Sequence, residues 1–222
     1  MGREEGGSGR FGEGGEFWGV GPWQGEWPTG DHWDVELLEN GDRRNVEDQY
    51  RYWTREAIRQ DIAKRSLGFE VAIENLGHDF NIGSIVRTAN ALGASKVHIV
   101  GRRRWNRRGA MVTDRYLDVV HHADVDAFLA DVSPRALVVI GIDNIPGSEP
   151  IEGALIPANS VLVFGEEGNG LSPAMRQASQ KILHITQYGS TRSMNVGHAA
   201  AIAMWAWGAQ NISPGVNPEE SV

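Results

Sequence analysis

The 222-residue chain contains no cysteine. That absence removes disulfides, thiolate zinc sites and cysteine nucleophiles together. Long hydrophobic runs are missing as well, since no apolar stretch approaches the roughly 18 residues of a membrane span. The opening residues, MGREEGGSGRFGEGG, hold no hydrophobic signal-peptide region, so a cytoplasmic protein without a membrane partner is expected. There is no excess of basic charge either. A net charge of −8 argues against a general nucleic-acid coat, and no DNA partner is expected. The Lys-Ser/Thr of a P-loop is absent, as is the first-strand Gly-x-Gly-x-x-Gly of a nicotinamide dinucleotide enzyme. His121 and His122 are adjacent, but no acid or cysteine at matching spacing accompanies them, and no metal is expected.

What is present suits one globular domain with an extension: 41% hydrophobic and 23% charged residues. Residues 1–16 are Gly/Glu-rich and expected to be disordered. Trp18, Trp23, Trp27, Trp33 and Trp53 then supply five of the eight tryptophans, among Pro22 and Pro28. Rings of that size rarely stay solvated, so residues 17–40 are expected to form an irregular strap on the body or on a partner chain. A helix is predicted near 46–64, with Val46, Tyr50, Trp53 and Ala57 on one face. These features define an amino-terminal extension over 1–66, a main domain over 67–212 and a disordered tail over 213–222.

The main domain alternates strands and helices. VAIEN at 71–75, KVHIV at 96–100, ALVVIGI at 136–142, VLVFG at 161–165 and KILHIT at 181–186 read as strands. Helices are predicted over 81–92, 124–131, 172–180 and 194–209. Continuous β-branched strands between helices predict an α/β fold, a mostly parallel sheet with helices on both faces.

Three segments carry chemistry. In NIGSIVRTANALG at 81–93, apolar residues recur at Ile82, Ile85, Val86, Ala89 and Leu92, which leaves Arg87 on the polar face. A guanidinium there suits a phosphate or a developing oxyanion, and Gly83 allows another backbone to approach. FGEEGNGLS at 164–172 follows a buried strand, so its glycines lie at the carboxyl edge of the sheet, where ligands bind. Glu166 and Glu167 favour a cationic or hydroxyl-rich ligand over a phosphate. YGSTRSMNVGHAAAIAMWAW at 188–207 is a polar loop opening into a small-residue helix, with Ser193 and Asn195 at the cap position. Trp205 and Trp207 are expected in the core or at a subunit interface. Separately, GRRRWNRRG at 101–109 places Arg102, Arg103, Arg104, Arg107 and Arg108 around Trp105. That pattern offers phosphate contacts and a stacking face for an unpaired base.

In that order and spacing, the Asn-x-Gly-Ser-x-x-Arg-Thr-Ala-Asn helix, the FGEEGNGLS loop and SMNVGHAAAIA resemble the SpoU/TrmH family of SPOUT RNA methyltransferases. The resemblance covers roughly Phe69 to Ala209. It implies a trefoil knot at the carboxyl end, threading residues around 165–195, which ordinary topology rules would reject. It also implies a homodimer, S-adenosyl-L-methionine as donor, and methylation of a ribose 2′-hydroxyl of tRNA or rRNA. By position, Asn81, Arg87, Glu167, Ser193 and Asn195 take the catalytic roles. Gly165, Glu166, Gly170, Ile185 and Met194 take the cofactor-binding roles. The chain departs from the family where Ile-Pro-Met is usual, reading Ile185-Thr186-Gln187. Gly197 stands for the usual Ser, and Met194 for the usual Leu. A rival reading keeps the fold as an inactive RNA-binding or assembly protein. With no convincing separate amino-terminal RNA-binding domain, tRNA is favoured over rRNA.

Overall fold

The computed structural model describes residues 19–75, 81–166 and 168–212, which divide into two compact units after Gln60. The Gly/Glu-rich residues 1–16, Trp18, Glu167 and the tail 213–222 lie outside the described residues.

The first unit is built around one buried carboxylate. Asp42 accepts from Arg44 N–H (2.9 Å), Arg44 Nε (2.9 Å), Arg44 Nη2 (2.6 Å) and Tyr52 N–H (2.9 Å). Those bonds hold Tyr52 at φ 63°, a left-handed conformation rare for an aromatic residue. Its hydroxyl donates to the Gly21 carbonyl at 2.6 Å. Around it Trp23 packs edge-on to Tyr52 (5.4 Å), and Trp33 packs against Trp23 (5.8 Å) and Trp53 (6.4 Å). Helix α1 (Val35–Asn40) is capped by Asp34 and stopped by Gly41. The single helix expected over 46–64 is not formed. A 3-10 turn spans Asp48–Tyr50, the chain reverses at Tyr52, Trp53 bridges to Trp33, and α2 runs from Arg55 to Arg65. Tyr50 and Trp53 thus serve the aromatic cluster and not a helix face.

Removing Asp42 takes the carboxylate from the partly buried Arg44 guanidinium and leaves the Tyr52 amide unpaired, at a cost of about 1–3 kcal/mol. Asp42→Ala is therefore expected to melt the tryptophan cluster, read by tryptophan fluorescence. Burial raises the Asp42 pKa, but hydrogen bonds from Arg44 and Tyr52 outweigh it and hold the carboxyl below its ordinary value. With the folded value the lower one, the stabilisation is complete above the usual carboxylate range and is lost as pH falls through the folded value. Wild type should lose the cluster signal in acid, and Asp42→Asn should flatten that acid limb.

The second unit is a seven-stranded parallel sheet: β1 (Glu70–Asn75), β2 (Lys96–Gly101), β3 (Asp118–His122), β4 (Val138–Ile142), β5 (Glu149–Pro150), β6 (Ser160–Phe164) and β7 (Lys181–His184). Their spatial order is β3-β2-β1-β6-β4-β7-β5. Central β1 registers Ile73 against Ile99 on one side and Phe164 on the other. On one face, Val71 and Ile73 meet α3 (Ile82–Ala91) and α6 (Val196–Asn211) through Ile85, Val86, Ala200, Ala203 and Trp207. On the other, Ala72, Val139 and Val161 meet α4 (Val125–Val132) and α5 (Pro173–Ala178) through Phe128 and Met175. The two tryptophans of α6 separate: Trp207 is buried in the core, whereas Trp205 is 68% exposed. No helix among the described residues is long and apolar enough to cross a membrane.

β3 and β5 are additional to the expected strands. From β1 the chain steps outward to β2 and β3, then returns to β4 on the far side, so the order reverses beside β1. In open parallel sheets that switch point, at the strands' carboxyl ends, is where ligands bind. The order is compatible with the knot that the resemblance implies.

Candidate active site

The three singled-out segments all begin at this edge. Asn81 opens α3, but its side chain does not cap that helix. Its Oδ1 instead accepts from Asn195 Nδ2 at 2.9 Å. Asn195 Oδ1 accepts from Gly197 N–H (2.9 Å) and His198 N–H (3.3 Å), capping α6. One amide therefore ties the starts of two helices that are 114 residues apart. Gly197 fits this junction, because a β-carbon there would stand 2.9 Å from Ser84 Oγ. Ser84 donates to the Asn81 carbonyl at 2.8 Å, and its Oγ occupies the space beside Gly197.

After β6 the chain doubles back sharply. Glu166 and Gly170 exchange backbone hydrogen bonds of 3.1 and 2.9 Å, and Gly170 takes φ 67°. A β-carbon on Gly165 would fall on the backbone of Gly170 and Leu171, so only glycine closes this loop. Two acids fix it from outside. Asp143 Oδ2 accepts from Leu171 N–H (3.0 Å), and Glu74 accepts from Ser172 N–H (2.7 Å) and Ser172 Oγ (2.6 Å). Ser172 in turn caps α5.

A cavity opens between these pieces, lined by Ile73, Glu74, Asn81, Ile82, Ile85, Gly165, Glu166 and Val196. Of the expected residues, Asn81, Gly165 and Glu166 are thus brought together, with Asn195 bonded to Asn81. Gly170, Ile185 and Met194 stand outside that lining. Ser193 is exposed and does not cap α6; Asn195 alone does, so the expected pair of caps is corrected to one. Arg87 is exposed on α3, with no hydrogen bond or ion pair among the described residues. The departure at Thr186 has a physical account. Thr186 N–H and Oγ1 both bond the Glu152 carboxylate at 3.1 Å, using a donor that proline lacks. The carboxyl's own backbone N–H and then Thr186 hold Glu152 below its ordinary pKa.

The arginine loop adjoins the same helix. Gly83 of α3 faces Gly109 so closely that a β-carbon on Gly83 would lie 2.8 Å from the Gly109 α-carbon. Asn75, buried at the end of β1, donates to the carbonyls of Arg102 (2.6 Å) and Arg104 (3.0 Å). Trp105 packs on the core, and the Arg107 guanidinium lies 5.4 Å from its ring centre while bonding Asp114 at 3.1 Å. Arg102, Arg103, Arg104, Arg107 and Arg108 are all exposed.

Ser84, Glu74, Asn75 and Asp143 are site residues that sequence reasoning missed. Three of them had a signal: Glu74 and Asn75 are polar residues inside a strand whose six residues are all buried, and Asp143 directly follows a strand with four of its five residues buried.

The fold is thus a parallel α/β sheet with a small cleft at the switch point and an arginine-rich loop beside it. Residues 68–205 match the SpoU rRNA methylase family, and the chain belongs to it. An uncharacterized tRNA/rRNA methyltransferase of Mycobacterium ulcerans is 31% identical over 60% of this chain. The chain spans only 44% of that relative's length. The SpoU methyltransferase AviRb from Streptomyces viridochromogenes, solved with S-adenosylmethionine, is 25% identical with a TM-score of 0.59, over 64% of this chain and 60% of AviRb. A structure concerned with 2-OH methylation of C/U34 on tRNA is also 25% identical, with a TM-score of 0.57 over 64% of this chain and 95% of the other. S-adenosylmethionine is the cofactor of the family. The residues present fit it: among the described residues the cavity lining carries the acids Glu74 and Glu166 and no Lys or Arg, and although Glu74 is held by Ser172, that charge balance suits a cationic sulfonium.

Proposed function

We propose that this chain is an S-adenosylmethionine-dependent RNA methyltransferase acting on a ribose 2′-hydroxyl of tRNA or rRNA, with tRNA favoured. The observation that carries this reading is the convergence of Asn81, Gly165 and Glu166 on one cavity, with Asn195 bonded to Asn81, at the foot of the helix bearing Arg87. When bound, the cofactor supplies an electrophilic methyl group. Gly165, Glu166 and Gly170, with Ile185 and Met194 from the following segments, would hold it. The Asn81–Asn195 pair orients the two helix starts around the reacting oxygen. Arg87 binds the adjacent phosphate and stabilises negative charge growing on that oxygen. It does not serve as the base, because a guanidinium keeps its proton in proteins. Ser193 and Glu167 complete the proposed set, Glu167 in ordering its loop. The likeness to the enzyme of C/U34 on tRNA supports both the 2′-hydroxyl and the choice of tRNA.

The arginine loop grips RNA beyond the target nucleotide. Replacing Arg103, Arg104 and Arg108 by Gln should weaken tRNA binding and lower the salt slope by about one for each phosphate no longer neutralised. Anisotropy titrations at several salt concentrations measure this, and cofactor affinity should be unchanged; equal loss of both would refute the division of labour. A homodimer belongs to the same reading, with Ile202 (39% exposed) and Trp205 on α6 as surface for a second copy. Sedimentation of a monomer at micromolar concentration would remove it. Incorporation of labelled methyl into unmodified tRNA, followed by mapping of 2′-O-methyl positions, tests the whole; cofactor binding without transfer to any RNA would favour the inactive-scaffold reading.

A further inference from the structure

A second cluster of polar side chains lies outside the cavity, on the sheet face that α4 covers. His98 of β2 is fully buried, His122 at the end of β3 is nearly so, and Asp131 of α4 is partly exposed. His98 Nδ1 and His122 Nε2 are 2.8 Å apart. Asp131 Oδ2 is 3.7 Å from each of those nitrogens. The point equidistant from the three atoms lies in their plane, about 2.0 Å from each, the length of a zinc bond. A four-coordinate ion stands off that plane, so binding requires the two imidazoles to part by about half an ångström.

The surroundings suit a metal as well. His98 turns its other nitrogen, Nε2, to Glu70 at 2.7 Å. Arg135 bonds both Glu70 Oε1 and, at 3.2 Å, Asp131 Oδ1. A carboxylate on the far nitrogen of a ligating histidine fixes its tautomer and strengthens it as a ligand. Phe128 packs edge-on to both imidazoles and closes the apolar side. Lys96 Nζ, 3.9 Å from Asp131 Oδ2, must give up that carboxylate, and Asp118 at the same distance is there to retain it.

We propose that His98, His122 and Asp131 form a zinc site, with a fourth position open to water on the Asp131 side. The ion replaces the proton that the two imidazoles otherwise share, and it pins edge strand β3 and α4 to β2. Sequence spacing concealed the site, since the partner of His122 is His98 on the neighbouring strand and not the adjacent His121. The His121 imidazole points elsewhere, its Nε2 lying 2.8 Å from the Gly101 carbonyl.

The test is titration of the full chain, freed of tags and of metal, with Co2+ as the spectroscopic stand-in for zinc. One equivalent should bind, give the intense ligand-field bands of four-coordinate cobalt, and be displaced by Zn2+. Asp131→Asn and His122→Gln should each weaken binding at least about tenfold, whereas His121→Gln should not. Because a change at buried His122 can unfold the sheet edge, circular dichroism accompanies each variant and Lys96→Met supplies an independent arm. Removing the competing ammonium leaves the ligands intact, so cobalt should bind more tightly. Absence of stoichiometric binding by the folded wild type overturns the proposal. So does binding that survives both Asp131→Asn and His122→Gln, or that is not tightened in Lys96→Met.

Discussion

Arg87→Ala should lower the rate of methyl transfer to RNA by about two to three orders of magnitude, the usual effect of deleting a donor aimed at a developing oxyanion. The fold should not suffer. Arg87 is exposed and has no partner among the described residues to leave unsatisfied. The apolar face of α3 that holds the helix, with Ile82, Ile85, Val86 and Ala89 buried, is untouched by the change. Cofactor affinity should therefore be preserved while single-turnover transfer collapses, which separates a chemical role from a structural one. Arg87→Lys keeps the charge and loses the planar fork, so it should recover part of the rate. An unaltered rate in Arg87→Ala would remove this residue from the mechanism.

Gly165→Ala should abolish cofactor binding. Its β-carbon would overlap the Gly170 carbonyl and the Leu171 amide, and neither is a side chain that can rotate away. The loop must open, which breaks the Glu166–Gly170 bridge and pulls Leu171 and Ser172 from Asp143 and Glu74. Two backbone bonds and two or three bonds to carboxylates are at stake, several kcal/mol by ordinary values. Calorimetry with S-adenosylmethionine reads the outcome directly, and retained affinity would show that the loop is not the cofactor's wall. Gly168→Ala is the comparison: a β-carbon at Gly168 meets nothing within 4 Å, so its penalty is limited to its positive φ of 99°.

The parts of the site that were legible in the chain were those written locally. The period of Ile82, Ile85, Val86 and Ala89 gave α3 and the outward face of Arg87, and a buried strand before FGEEGNGLS placed the glycine loop at the sheet edge. What could not be read was set by distant partners. Asn195 was legible as a cap, but not that its amide reaches Asn81; Ser193 was equally suited to a cap by residue type and does not cap α6. Tyr52 breaks a plausible helix because Asp42, ten residues back, claims its N–H. β3 was hidden because four of its five residues, Asp118 to His121, are half-buried or exposed at the sheet edge, so its pattern lacks a buried run. Nor could the partners at the two departures from the family pattern be read: Thr186 bonds Glu152, and Gly197 leaves no room for a β-carbon beside Ser84 Oγ.

The Gly83–Gly109 contact has a consequence for how such an enzyme could change its substrate. Backbone touches backbone there, so a methyl group added on Gly83 would wedge the arginine loop away from α3, whereas one on Gly109, 3.2 Å from the Ser84 nitrogen, asks for a shift of only a few tenths of an ångström. The exposed guanidiniums of Arg103, Arg104 and Arg108, a few residues earlier, face no such backbone contact and can be exchanged or shortened without disturbing α3. On the proposed reading, redesign for a different RNA thus has a natural boundary: the exposed side chains of Arg103, Arg104 and Arg108 are open to variation, while core-packed Trp105 and the Gly83–Gly109 contact hold the loop in place.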